Sequence, residues 1–225
     1  FNAACTTANG SIARVRVTRG GSGFDQNCQF QIITNPAAAG QWTTWTTFTG
    51  GSANIFQDGD CAISNNSGNL RAFAQRGTGG NNVWVWTSTN NGASWTGPVS
   101  IGSPAGGALC AGFASAGNND VFFTFQVVGG YNIGYSFWNG AAWSAIATST
   151  LAVTLGSAGI GVAFLSGVYY VVYSTGYALI EAKYTVSGAT WASLETIAPA
   201  DIAANGRISP KLLLDSNTGF YNLIY

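Results

Sequence analysis

Short apolar runs separated by Asn, Gly and Ser organise this chain, and they come in pairs. Residues 4–17, 61–74, 110–125, 162–173 and 211–225 each read as a β-prone run, a turn of small polar residues and a second β-prone run. That is the pattern of an antiparallel hairpin. A third run follows each of the first four hairpins, at 29–34, 83–87, 133–137 and 178–184. A turn ending in Trp42, Trp95, Trp143 or Trp191 then leads into a short β-prone tail that supplies a fourth strand. These tryptophans are 53, 48 and 48 residues apart, so one supersecondary unit is copied along the chain. No segment carries a helical stripe, and helix-favouring Lys, Glu, Gln and Arg are scarce.

Four antiparallel strands in a repeat of about 40 to 50 residues is the arithmetic of a β-propeller blade. Burial supports the same reading. Val121–Phe125 and Val168–Tyr173 place apolar residues on both faces, which antiparallel strands need only when both faces of the sheet are covered. The expected fold is therefore all-β, a β-propeller of four-stranded antiparallel blades within a single domain or fragment spanning 1–225. Its blades are placed at about 3–48, 59–101, 108–149 and 160–197, with a partial blade at 208–225. About four and a half blades leave strand edges and apolar faces open. The expectation is a larger propeller, with a continuation of the chain or a partner subunit covering the open edge. A first residue other than Met likewise suggests a processed product or a fragment.

Composition narrows the chemistry. Charged residues are 7% of the 225, with 8 Lys+Arg against 8 Asp+Glu, while 47% are hydrophobic and 13% aromatic. Such a chain can bury a sizeable core. Its zero net charge gives no attraction to phosphate backbones or acidic membranes, so neither nucleic-acid binding nor membrane insertion is expected. The absence of His removes the usual general base and the usual metal ligand, and neither a metal nor a cofactor is expected. Cys5, Cys28, Cys61 and Cys110 lack the close spacing of a zinc site and allow three pairings if all are oxidised. Few charges and many Ala, Gly, Ser, Thr and Asn suit an extracellular, cell-surface or virion protein.

One turn carries a family resemblance. Ser88-Thr89-Asn90-Asn91-Gly92-Ala93-Ser94-Trp95 resembles the Asp-box, the Ser-x-Asp-x-Gly-x-Thr-Trp hairpin of sialidase-like β-propellers, with Asn90 at the aspartate position. The resemblance implies a structural role: the polar side chain ties the hairpin, Gly takes a conformation other residues avoid, and Trp packs between blades. Degenerate copies end at Trp143 and Trp191. A sialidase of this family would need an arginine triad, a Tyr nucleophile paired with Glu, and an Asp acid/base. Of the six arginines, only Gly206-Arg207-Ile208-Ser209-Pro210 approaches the family's Arg-Ile-Pro signature. Glu181 and Glu195 fall in outer strands rather than in a central pocket, and no catalytic residue is assigned.

Ligands of a propeller usually meet the loops joining its strands and blades. Those loops hold Asp25, Asp58, Asp60, Arg76 and Arg207. Trp84, Trp86 and Trp138 fall outside the repeated Trp position and offer aromatic faces to a sugar. These eight residues are the expected ligand contacts. The function expected first is non-catalytic adhesion or recognition, with glycans or a surface receptor as partners. The alternatives are a sialidase-like glycoside hydrolase and a purely structural surface or tail component.

Overall fold

A computed structural model describes residues 2–18, 27–35, 37, 42–50, 61–76, 82–103, 110–116, 122–127, 132–151, 160–174, 179–198, 211–214 and 221–224. The described residues form four four-stranded sheets and one two-stranded sheet, each an antiparallel meander in chain order. The first comprises β1 (Asn2–Thr6), β2 (Ile12–Thr18), β3 (Asn27–Ile33) and β4 (Thr46–Thr47). The second comprises β5 (Cys61–Asn66), β6 (Asn69–Arg76), β7 (Asn82–Ser88) and β8 (Thr96–Gly102). The third comprises β9 (Cys110–Ala116), β10 (Phe122–Val127), β11 (Asn132–Phe137) and β12 (Ala147–Thr148). The fourth comprises β13 (Ile160–Leu165), β14 (Val168–Ser174), β15 (Leu179–Thr185) and β16 (Thr190–Ala198). β17 (Lys211–Leu214) and β18 (Tyr221–Ile224) make the last hairpin.

The sheets stack side by side around a common line of inner strands. β1 packs on β5, β5 on β9, β9 on β13 and β13 on β17. The buried apolar residues accordingly gather between sheets. One cluster joins Ala13, Val15, Cys28 and Phe48 of the first blade to Cys61, Ile63, Leu70, Ala72, Ala74 and Trp86 of the second. Others join the second blade to the third, the third to the fourth, and the fourth to Leu212 of the last hairpin. β14 shows why its run is apolar throughout. Tyr169, Val171 and Tyr173 pack toward the third blade, whereas Tyr170 and Val172 pack toward the last hairpin. Alternation along a strand sends neighbouring residues to opposite faces, and here both faces are covered.

Turn chemistry fixes the registers. Leu165 pairs with Val168 across a two-residue turn whose central residues, Ser166 and Gly167, both have positive φ. This is the turn that matches the twist of paired strands. The fourth strand is less regular than the sequence suggests. It runs 7 residues in β8 and 9 in β16 but 2 in β4 and β12. In the first and third blades the segment ahead of it is held by single bridges, Ile33 to Trp42 and Trp138 to Trp143.

Candidate functional site

The Ser88–Trp95 turn is tied by its own side chains. Ser88 Oγ accepts from the Gly92 amide at 2.9 Å, and Asn90 Oδ1 accepts from the Ser94 amide at 2.9 Å. Asn90 Nδ2 in turn donates to Ser94 Oγ at 2.8 Å. An Asn therefore supplies the acceptor that the turn needs. The turn delivers Trp95 onto the first blade, with its ring centroid 5.5 Å from Phe30 and 5.0 Å from Phe48. Trp143 meets Phe73 of the second blade at 5.4 Å, and Trp191 meets Tyr135 of the third at 5.4 Å. Each of these tryptophans reaches back to the preceding blade. They are interblade packing groups.

Between the second and third blades lies a cleft of about 430 Å³ whose walls include Trp138, Trp143, Val85 and Ile101, with hydroxyls from Thr87, Ser100 and Ser144. A second cleft of about 280 Å³ separates the third and fourth blades, lined by Phe137, Trp138, Phe164, Tyr169 and Tyr184 with Asn139 at its edge. Trp138 is common to both. Behind it, the Arg71 guanidinium carbon lies 5.0 Å from the indole centroid. Arg71 is 6% exposed, and burial lowers its pKa from the ordinary arginine range. Its Nη1 and the Oγ of Ser64, its cross-strand neighbour, are buried without a hydrogen-bond partner among the described residues. An aromatic plane with hydroxyls beside it is the chemistry that receives a sugar ring.

The expected ligand contacts are placed unequally. Trp138 lines both clefts. Trp86 is 1% exposed, stacked on Phe48 at 4.8 Å and donating from Nε1 to the Thr49 carbonyl at 3.0 Å, so its ring belongs to the core and offers no face to a ligand. Alternation sends Trp84 to the same side of β7, partly buried against that core. Arg76 ends β6. Asp25, Asp58, Asp60 and Arg207 lie outside the described residues. Glu181 and Glu195 face each other across β15 and β16, and neither lines either cleft. Sequence reasoning passed over Thr87, Ser144 and Arg71. The available signal was the pair Trp138 and Trp143, which bracket one short turn.

Comparison with solved structures supports the architecture. A six-bladed fucose-recognising lectin from Aleuria aurantia superposes with a TM-score of 0.61 at 17% identity, covering 94% of this chain and 65% of the lectin. The fold is a partial β-propeller. The Hadza microbial sialidase Hz136 superposes at 0.67 with 14% identity, covering 94% of this chain and 49% of the sialidase. An α-L-arabinofuranosidase from Fusarium graminearum superposes at 0.63 with 12% identity, covering 96% of this chain and 68% of the enzyme. This propeller thus spans about two thirds of the lectin and half of the sialidase. No protein-family model and no curated protein matches it.

Proposed function

We propose that this propeller is an extracellular, non-catalytic glycan-recognition module whose ligand lies between blades against Trp138. The observation that carries the reading is the position of Trp138, one indole forming a wall of two neighbouring clefts that each offer a second aromatic ring and polar edge groups. A pyranose stacked on the indole would place its hydroxyls within reach of Thr87, Ser100 and Ser144 in the larger cleft. Among the described residues neither cleft is lined by a carboxylate, whereas glycoside hydrolysis ordinarily uses two. That supports binding without turnover. The fold likeness to a fucose-recognising lectin makes fucosylated glycans the first ligands to try. In this reading the Ser88–Trp95 turn is an Asn-bearing variant of the Asp-box, and the module serves adhesion on a cell or virion surface, with further blades or a partner subunit covering its open edge.

The test is a glycan array with a parallel panel of fluorogenic glycosides. Binding to a defined glycan with no release of fluorophore is expected, and Trp138→Ala should weaken it by at least about tenfold, the loss of roughly 1.4 kcal/mol. Turnover by the wild type, or glycan binding that survives Trp138→Ala unchanged, would sink the reading.

A further inference from the structure

The face that the second blade turns toward the third carries two unlike rows. Register sets Ala62 opposite Phe73 and Phe73 opposite Val85, and all three belong to the cluster that closes on the third blade. Two residues further along each strand the row becomes Ser64, Arg71 and Thr87, again directly opposite one another. Positions two apart share a face, so this polar row points toward the third blade as well. Trp138 lies over it, with the Arg71 guanidinium carbon 5.0 Å from the indole centroid. Ser64 is 4% exposed and Arg71 6%, while Thr87 opens onto the larger cleft.

This row has donors and no acceptor to receive them. Arg71 Nη1 and Ser64 Oγ are both sealed from water, and neither has a hydrogen-bond partner among the described residues. The carboxylates among those residues are Glu181 and Glu195, on β15 and β16 of the fourth blade. Burial lowers the Arg71 pKa, yet a guanidinium stays protonated at any ordinary pH, so the charge cannot be shed. Trp138 attracts the cation through its ring face, but its own Nε1–H can only donate. A cation taken out of water needs an opposite charge as well as filled hydrogen bonds. Water would supply the second and not the first.

We infer that the Ser64–Arg71 pair beneath Trp138 is a binding site for a single halide ion, chloride under ordinary ionic conditions. One such ion accepts from Arg71 Nη1 and from the Ser64 hydroxyl while cancelling the charge of the guanidinium. The small exposure of Arg71 favours an ion of this size over the carboxylate or sulfate of a larger molecule. Arg71 lines neither cleft, so the ion sits behind the wall that Trp138 forms, and the inference does not rest on the glycan reading. Its effect is to lock the second blade to the third. Without the ion, Arg71 is a buried cation that opposes that junction.

The test is urea unfolding of the 225-residue chain in sodium chloride or bromide against sodium methanesulfonate at matched ionic strength, so that general screening is common to both. For one site, the unfolding constant of the wild type should fall about tenfold for each tenfold rise in halide above its dissociation constant. Methanesulfonate, a bulkier anion, should give no such slope. Arg71→Met removes the cation at similar length, and its unfolding constant should be the same in the two salts. Ser64→Ala keeps the cation and loses one donor, so half of the stabilisation should need about tenfold more halide. That variant carries the test if Arg71→Met does not fold. A bromide-soaked crystal should show anomalous density within hydrogen-bond reach of Arg71 Nη1 and Ser64 Oγ. Equal unfolding of the wild type in halide and methanesulfonate would overturn the inference, leaving Arg71 to water or to a carboxylate of the chain. A halide slope undiminished in Arg71→Met, or in Ser64→Ala where that variant stands in, would overturn it too, as would bromide density absent from the pair.

Discussion

Arg71 on β6 and Trp138 after β11 meet across the boundary between the second and third blades, with the guanidinium carbon 5.0 Å from the indole centroid. The contact places a cation almost out of water beside the residue that two clefts share. Its stabilising part is the attraction to the ring, opposed by desolvation that already lowers the Arg71 pKa. Replacing Trp138 by Leu keeps a side chain in the gap but removes the π face, and should cost about 1 kcal/mol. In Arg71→Met the same Trp138→Leu change should cost measurably less. A double-mutant cycle by urea denaturation reads the coupling, and additivity within about 0.3 kcal/mol would dismiss it.

Trp95 and Trp42 occupy the same place in the repeat but not the same environment. Trp95 packs on Phe30 and Phe48 of the preceding blade, whereas Trp42 lies on the outer face of the first blade under Arg14. Trp95→Ala should therefore lower stability by about 3 to 5 kcal/mol, the range for an aromatic removed from a core. Trp42→Ala should cost about 1 kcal/mol or less. Paired denaturation curves test the difference, and equal losses would mean that the outer face is covered in solution.

The repeat and its blade architecture were legible because they rest on local pattern. Turn residues, the recurring Trp and the two-faced run Val168–Tyr173 all follow from spacing along one segment. Burial of individual aromatics was less accessible. Trp84 and Trp86 share one face of β7, yet Trp86 is enclosed by Phe48 and Trp95 is brought onto the same ring from the next turn. Those neighbours come from two blades. The same holds for Arg71 against Trp138 and for the hydroxyls of the larger cleft, where the site is made by stacking sheets and no single stretch of sequence contains it.

The turn before Trp95 gives a sharper test. Gly92 has φ +87°, and a Cβ there would stand 2.5 Å from Cδ1 of Ile32 and 3.3 Å from Cδ1 of Leu70. Gly92→Ala adds a clash in the core to a conformation that side chains avoid, and should cost about 2 kcal/mol or more. Ser88→Ala leaves the buried Gly92 amide without its acceptor, for about 1 to 3 kcal/mol. Asn90→Asp should be close to neutral, within about 0.5 kcal/mol, since Oδ1 still accepts from Ser94 and the Ser94 hydroxyl can rotate to donate. Thermal or urea unfolding of the three variants checks the order. An Asn90→Asp protein as weakened as Ser88→Ala would show that this turn does not tolerate the aspartate of the box it resembles.

Alkaline pH should erode the junction of the first two blades through its thiols. Burial pushes the Cys5 thiol up to about 12. Burial, followed by the charge of Cys61, pushes the Cys28 thiol well above its ordinary value. In the unfolded chain both ionise near the ordinary value of about 8.5. Above that pH the unfolded state has released protons that the folded state keeps, so the number bound is smaller in the unfolded state and stability falls as pH rises. Below about pH 8 the contribution is fully present, and it is lost progressively toward the folded-state values. Tyr173 and Tyr184, raised chiefly by burial, add a loss of the same sign only above about pH 10. Urea midpoints of the reduced protein at pH 7.5 and 9.5 should therefore drop more in the wild type than in Cys5→Ala/Cys28→Ala. Iodoacetamide at pH 8 should modify the fully buried Cys28 only as fast as the protein unfolds, and the partly buried Cys5 faster. Equal drops in both proteins, together with rapid native-state alkylation of Cys28, would show that the Cys28 thiol is in contact with water.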